Sequence, residues 1–226
     1  MTRVIVIGAK GKMGRRIMEL VESAPDMSLA AGVDVGDSLN DALKDSDVAI
    51  DFTTARAAAE NAKIAARHGV PIVIGTTGLG SDEEDALRSI AASLPIVYAP
   101  NMSIGVNVMF EIIRLAARAL GPGFTAAIEE THHVHKLDRP SGTAKRMAKI
   151  VERETGGRSA EVESIRKGEV VGDHTIRFTG PGEDLAINHN AKDRGIFAQG
   201  AIAAARWIVG KPAGLYDMVD VLGLKG

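Results

Sequence analysis

VIVIGAKGKMG, residues 4–14, joins an apolar run to a glycine-spaced turn and then to a helical pattern over residues 12–24. VIVIG (4–8) reads as a buried strand. In the G-x-x-G-x-x-G turn, Gly8 permits a tight bend and Gly11 lets the backbone approach a pyrophosphate. Gly14 lets the helix pack closely on the strand, with the helix N-terminus turned toward phosphates. A tight βα turn without a ligand would share this spacing. The strand before it and the helix after it favour a dinucleotide site.

The alternation continues outward from this unit. Strands are expected at 28–34, 47–53, 71–78 and 95–101. Helices fall at 55–68, stopped by Gly69, and at 81–93, opened by a Ser81–Glu84 capping box. Apolar runs separated by helices signal a parallel sheet covered on both faces. Asp34 ends the second strand, where a carboxylate would accept hydrogen bonds from ribose hydroxyls. It repels a 2′-phosphate and so favours NAD, while Lys10 and Lys12 let NADP be tolerated. In an open parallel sheet the carboxyl ends of the strands line the ligand crevice. Thr76, Thr77 and Asn101 lie at such ends, suited to the nicotinamide half or simply to bonding their own turns.

The pattern changes near residue 103. A helix over 104–120 carries Val106, Met109, Phe110, Ile113, Ala117 and Leu120 on one stripe, and GPG (121–123) ends it. Strand-like segments follow at 124–134, 160–166, 174–179 and 184–191, interrupted by one helix at about 142–155. This reads as a mixed or antiparallel sheet. A helix at 196–209 and an apolar tail, LYDMVDVLGL (215–224), close the chain. The fold class is α/β: a Rossmann-like dinucleotide-binding domain over 1–103, which 196–226 is expected to complete although periodicity does not show it, and a smaller α+β domain over 104–195.

Composition narrows the function. Apolar residues are 45% and charged residues 25%, ordinary for a globular chain. Aromatics at 4% argue against a nucleobase-stacking surface, and a net charge of −2 argues against a nucleic-acid or membrane partner. The absence of cysteine excludes disulfides, thiolate chemistry and iron–sulfur clusters. No apolar run serves as a signal-peptide core or approaches the roughly 20 residues of a membrane span. The expectation is a soluble, cytoplasmic protein.

HHVHKLDRPSGTA (132–144) concentrates three of the six histidines beside a lysine and a Ser-Gly-Thr turn. On a continued strand His133 and His135 would share a face and could bind zinc with Glu129 or Glu130. No further metal framework accompanies them and Lys136 opposes a cation, so no metal is expected. Proton transfer suits the stretch better, because histidine titrates near neutrality and a partly buried lysine can be lowered toward it. Ser141, Gly142 and Thr143 then open a helix whose positive end forms a carboxylate seat. An ordinary capped helix after a solvated strand would look similar.

GAKGKMG, IDFT, VIGTTG, APNMSIGVN, HHVHKLDRPSGTA, GDHTIRF and DR-FAQGAIAAARWI together resemble the 4-hydroxy-tetrahydrodipicolinate (dihydrodipicolinate) reductase family of lysine and diaminopimelate biosynthesis. The resemblance implies that 104–195 is a substrate-binding and oligomerisation domain, and that a homotetramer built through the sheets of that domain carries out NAD(P)H-dependent reduction of a cyclic dicarboxylate with loss of water. It implies His132 as catalytic histidine, Lys136 as proton donor, and His133, Gly142 and Thr143 as substrate-binding, beside Ser141 from the reading of the helix start. It implies cofactor contacts from Gly8, Ala9, Lys10, Gly11, Lys12, Met13, Asp34, Gly75, Thr76, Thr77, Ala99, Pro100, Asn101 and Met102. Arg139 stands where the family more often has alanine, and the region after residue 155 is compressed. A non-catalytic nucleotide sensor, a zinc hydrolase and an amino-acid dehydrogenase of similar architecture are the competing readings.

Overall fold

The computed structural model describes residues 1–225. From the N-terminus, β1 (Thr2–Ile7), α1 (Lys12–Ser23), β2 (Met27–Val33), α2 (Leu39–Leu43), β3 (Val48–Asp51), α3 (Ala55–His68), β4 (Ile72–Ile74), α4 (Ser81–Ile90) and β5 (Pro95–Tyr98) alternate strand and helix. Then come α5 (Ile104–Leu120), β6 (Thr125–His132), α6 (Gly142–Glu154), β7 (Glu161–Arg166), β8 (Gly172–Gly180) and β9 (Glu183–Ala191). The chain closes with α7 (Gly195–Ile208), β10 (Gly214–Tyr216) and α8 (Met218–Val221). Two units result. One is Met1–Ile104 together with the segment that begins at Gly195, and the other is Gly105–Arg194.

In the first unit six strands form one sheet in the order β10-β5-β4-β3-β1-β2, with every pairing parallel. The strand period of two sorts its residues cleanly. Val4 and Val6 face one layer with Ile17, Val21, Ala198, Ala201 and Ile208 of α1 and α7. Ile5 and Ile7 face the opposite layer with Ala58, Ala62, Ala65 and Leu87 of α3 and α4. Both faces are therefore dry at the centre of the sheet, which is why residues 4–7, 48–50 and 72–74 are apolar at every position rather than at alternate ones.

Several edges differ from the sequence expectation. The third, fourth and fifth strands stop at Asp51, Ile74 and Tyr98, which lie side by side in register. The last bonds there are Phe52 N to Ile7 O, Gly75 N to Asp51 O and Ala99 N to Ile74 O. Beyond that row the ladder ends, so Thr53, Thr76, Thr77 and Asn101 lie in loops at the carboxyl edge. The capping box is shifted and halved: α4 is capped at Gly80, whose N–H donates to the Glu83 carboxylate at 2.9 Å, and glycine has no hydroxyl to complete the box. α2, β10 and α8 were not anticipated. The apolar tail supplies the last two, with β10 pairing on β5 at the sheet edge.

The second unit has a four-stranded mixed sheet, β7-β6-β8-β9. β6 and β7 are parallel, joined through α6, while β8 runs antiparallel to both β6 and β9. α5 and α6 cover one face, where Val106, Phe110, Ile113, Met147 and Val151 pack on Ile128, Ile176 and Phe178. β9 is mostly exposed, with Leu185 at 40%.

Candidate active site

The glycine turn of the first unit is sterically committed. Gly8 has φ +85°, and a Cβ there would lie 2.4 Å from Phe52 O. A Cβ on Gly14 would lie 2.2 Å from Gly8 O, so α1 reaches β1 only without a side chain at that point. Gly11 caps α1 and no side chain caps the helix there. Asp34 sits one residue past β2 and ties the turn in place: its carboxylate accepts from Lys10 N at 2.8 Å and Val35 N at 2.9 Å. The Lys10 and Val35 amides hold its pKa below the ordinary value. Lys10, Gly11 and Lys12 are exposed, Met13 is half-buried and Ala9 is buried. This is a cradle of backbone amides with an ionised carboxylate at its rim, and it fits a dinucleotide.

At the neighbouring strand ends Asp51 is fully buried. It accepts from Thr53 Oγ1 and Thr76 Oγ1, each at 2.8 Å, and from Asn61 Nδ2 at 2.7 Å. Burial raises its pKa despite these bonds. Thr76 also accepts from Thr53 N at 2.8 Å and is only 3% exposed, so its hydroxyl is spent inside the loop. Gly75, Ala99 and Met102 are buried, whereas Thr77 and Pro100 are exposed. Asn101 Oδ1 accepts from Ser103 N at 2.9 Å, a local turn bond.

In the second unit the strand period builds the other cluster. Ile128, Glu130 and His132 share the covered face of β6, and His174, Ile176 and Phe178 share it on β8. Glu130 pairs across with His174, so the face turns from apolar to polar toward the end of β6. Glu130 Oε2 hydrogen-bonds His132 Nδ1, and Oε1 accepts from Arg166 at 3.1 Å. Burial alone would raise Glu130, but Arg166, Ser164 and His132 outweigh it and its pKa is lowered. Burial pushes His132 down, against the pull of Glu130. Burial and His132 push His174 down to about 4, leaving it neutral.

β6 ends at His132, because β8 offers no partner beyond Thr131. The chain then turns, with Lys136 N donating to His133 O at 3.1 Å. His133 and His135 therefore do not share a strand face. His135 is exposed and sits loosely near Glu169, while His133 Nε2 meets Arg194 at 3.2 Å. Arginine only donates, so the His133 proton lies on Nδ1, which is buried and has no partner among the described residues. Lys136 is half-buried and pairs with Asp138 at 2.8 Å, which lowers the Asp138 pKa.

Ser141 caps α6: its hydroxyl accepts from Ala144 N at 3.2 Å and meets His174 Nε2 at 3.2 Å. At 2% exposure Ser141 lies behind the helix end rather than in front of it, whereas Gly142 is exposed and Thr143 half-buried. Pro140 precedes the cap and is not in the first turn. Glu130, His132 and His174 could each offer an atom to a cation. Arg166 already matches the Glu130 charge.

Sequence reasoning missed Asp51, Arg166, His174 and Arg194, and it considered Glu130 only as a metal ligand. The alternation I-x-E-x-H in β6 and H-x-I-x-F in β8 carries the signal for Glu130 and His174. Arg166 and Arg194 carry no such local signal.

Comparison with known proteins accords with this geometry. Residues 2–102 match the N-terminal profile described as dihydrodipicolinate reductase, and residues 105–222 match its C-terminal counterpart. A protein of Anaeromyxobacter dehalogenans (strain 2CP-1 / ATCC BAA-258) named 4-hydroxy-tetrahydrodipicolinate reductase is 40% identical over 268 residues, spanning 100% of this chain and 99% of its own. One of that name from Methanoculleus marisnigri is 41% identical over 255 residues, spanning 99% and 100%. Among solved structures, the dipicolinate-bound dihydrodipicolinate reductase of Paenisporosarcina sp. TG-14 shares the fold with a TM-score of 0.84 at 24% identity, covering 97% of this chain and 98% of that one. The C. glutamicum DAP dehydrogenase in complex with DAP shares it more distantly, with a TM-score of 0.61 at 14% identity over 100% and 96%. Matched by family profiles along nearly its whole length, the chain belongs to the dihydrodipicolinate reductase family.

Proposed function

We propose that this chain reduces 4-hydroxy-tetrahydrodipicolinate to tetrahydrodipicolinate with loss of water, using NADH or NADPH, in diaminopimelate and lysine biosynthesis. The observation that carries the reading is the second unit's cluster: a buried carboxylate on His132, with Lys136 and the first turn of α6 following within one short loop. The dinucleotide is placed on the first unit, on residues Gly8 to Met13, with Asp34 on the ribose hydroxyls. Gly75 to Thr77 and Ala99 to Met102 complete the binding edge through backbone and small side chains. Asp34 favours NADH, and the exposed Lys10 and Lys12 leave NADPH tolerated.

Bound NAD(P)H supplies the hydride. The protein supplies orientation and protons. Gly142 and Thr143 hold one substrate carboxylate at the positive end of α6. His133, held by Arg194, lines the seat for the ring or the second carboxylate. Lys136, assisted by His132, delivers the proton to the carbon or nitrogen that becomes basic. Asp138 holds the Lys136 ammonium until substrate arrives. No resident metal enters this scheme, so chelators leave activity unchanged. Among the described residues no helix is long and apolar enough to cross a membrane, which accords with a cytoplasmic biosynthetic enzyme. The exposed β9 face suits a homotetramer built sheet to sheet, and native mass spectrometry should return four copies.

A coupled assay tests the activity. Pyruvate and aspartate semialdehyde are condensed by the preceding synthase, and loss of NADH and NADPH is followed separately. Turnover that depends on the synthase is expected. Cofactor binding without such turnover would leave only a nucleotide sensor.

A further inference from the structure

The proton-handling pair is attached to a buried ionic network that proton transfer does not by itself require. Glu130 is fully buried, and the Arg166 side chain is 4% exposed. The Arg166 guanidinium donates to Glu130 Oε1 at 3.1 Å, to Lys136 O at 3.1 Å and to Asp138 O at 2.6 Å. A fourth bond, to Ile165 O at 2.7 Å, anchors it on its own strand. One side chain on β7 thus grips both the carboxylate that touches His132 and the backbone of the loop that carries Lys136.

Resting on the proposed roles of His132 and Lys136, we infer that Glu130 and Arg166 are positioning residues that set the tautomer of His132 and the placement of Lys136. An ionised carboxylate only accepts, so the imidazole keeps its proton on Nδ1 and leaves Nε2 as the outward atom. Gly172 leaves that atom room on its side, since a Cβ there would lie 3.0 Å from Nε2. Arg166 makes this arrangement tolerable, because a buried carboxylate without a cation would take up a proton and lose its orienting power. The planar fork of arginine reaches several acceptors at once, which a lysine ammonium at the same place cannot do.

The charged and titratable groups facing His132 are Glu130 on its own strand, Lys136 on the following loop, Arg166 on β7 and His174 on β8. Glu130 holds the imidazolium up, while burial, Lys136 and Arg166 press it down. Removing only the Glu130 charge therefore moves the His132 titration to lower pH. Removing only the fork of Arg166 leaves that titration in place and loosens Lys136.

Glu130→Gln and Arg166→Lys test the two halves, with NADH affinity and thermal melting as folding controls. In Glu130→Gln, kcat should fall at least about tenfold with little change in the NADH KM. The alkaline limb of its kcat profile should move to lower pH, as the proton is lost earlier. Ring nitrogen NMR should show His132 protonated on Nδ1 in the unaltered protein and a mixed tautomer in the variant. In Arg166→Lys, kcat should fall while the alkaline limb stays put. A wild-type His132 spectrum not protonated on Nδ1, or one unchanged in Glu130→Gln, overturns the Glu130 role whatever the activity does. Unchanged kcat in Arg166→Lys overturns the Arg166 role. Full turnover in Lys136→Ala defeats the underlying reading instead, and the ring spectrum still decides what Glu130 does to His132.

Discussion

Lys136 carries the sharpest expectation at the scale of single residues. Lys136→Ala should cut turnover at least about a hundredfold while NADH still binds, since one placed general acid contributes about 10²–10⁴-fold. Steady-state kinetics with a separate cofactor titration checks this, and near-normal turnover would remove the proton-donor role. Asp34 separates the cofactors. Its carboxylate is ionised and held by the Lys10 and Val35 amides, so Asp34→Ala should weaken NADH more than NADPH. Equal losses in dissociation constant would count against a ribose contact. Both residues were legible in the sequence, one by its place in a dense motif and the other by its place at a strand end. Arg166 was not, because its partners lie 28 to 36 residues away and only the sheet brings them together.

At the scale of elements, the start of α6 links stability to binding. Ser141 caps the helix, so Ser141→Ala should cost about 1 kcal/mol. It also leaves His174 Nε2 without its hydroxyl partner. The frayed first turn would then hold a substrate carboxylate less well. Thermal denaturation should show the loss, and substrate KM should rise more than kcat falls. An unchanged melting curve would show that the cap bond carries no weight. The long helices were readable from periodicity, as α3 and α5 illustrate with Gly69 and Gly121 closing them. The strand ends were not. IDFT, GTTG and APN continue the apolar or small-residue pattern, but a strand lasts only as long as its neighbour does.

The molecule as a whole should be acid-sensitive through its buried histidines. His174 is depressed to about 4, against an ordinary 6.5. The folded protein keeps it neutral, while the unfolded chain protonates it near 6.5. Its stabilising contribution is therefore complete above about pH 6.5 and is lost as pH falls toward about 4, a change of roughly 3 kcal/mol at most. Urea unfolding at several pH values should show a shallower decline across that window for His174→Gln than for the unaltered protein. Parallel declines would mean that His174 titrates normally in the folded state.

By itself the sequence determined the α/β class, the parallel character of the first sheet, the glycine turn with Asp34, and the dense stretch from His132 to Thr143. Those features are written in near-neighbour spacing: periods of 2 and 3.6, caps, and residues a few positions apart. Only the tertiary structure decided that β10 forms and pairs at the edge of the first sheet, after the ninety residues of the second unit. It alone decided that Thr76 and Ser141 turn their hydroxyls inward and that Glu130, His132, His174 and Arg166 form one network. The physical reason is the same in each case. Local pattern says which face of an element is buried, but which polar groups meet on that face is set by strand register between distant segments.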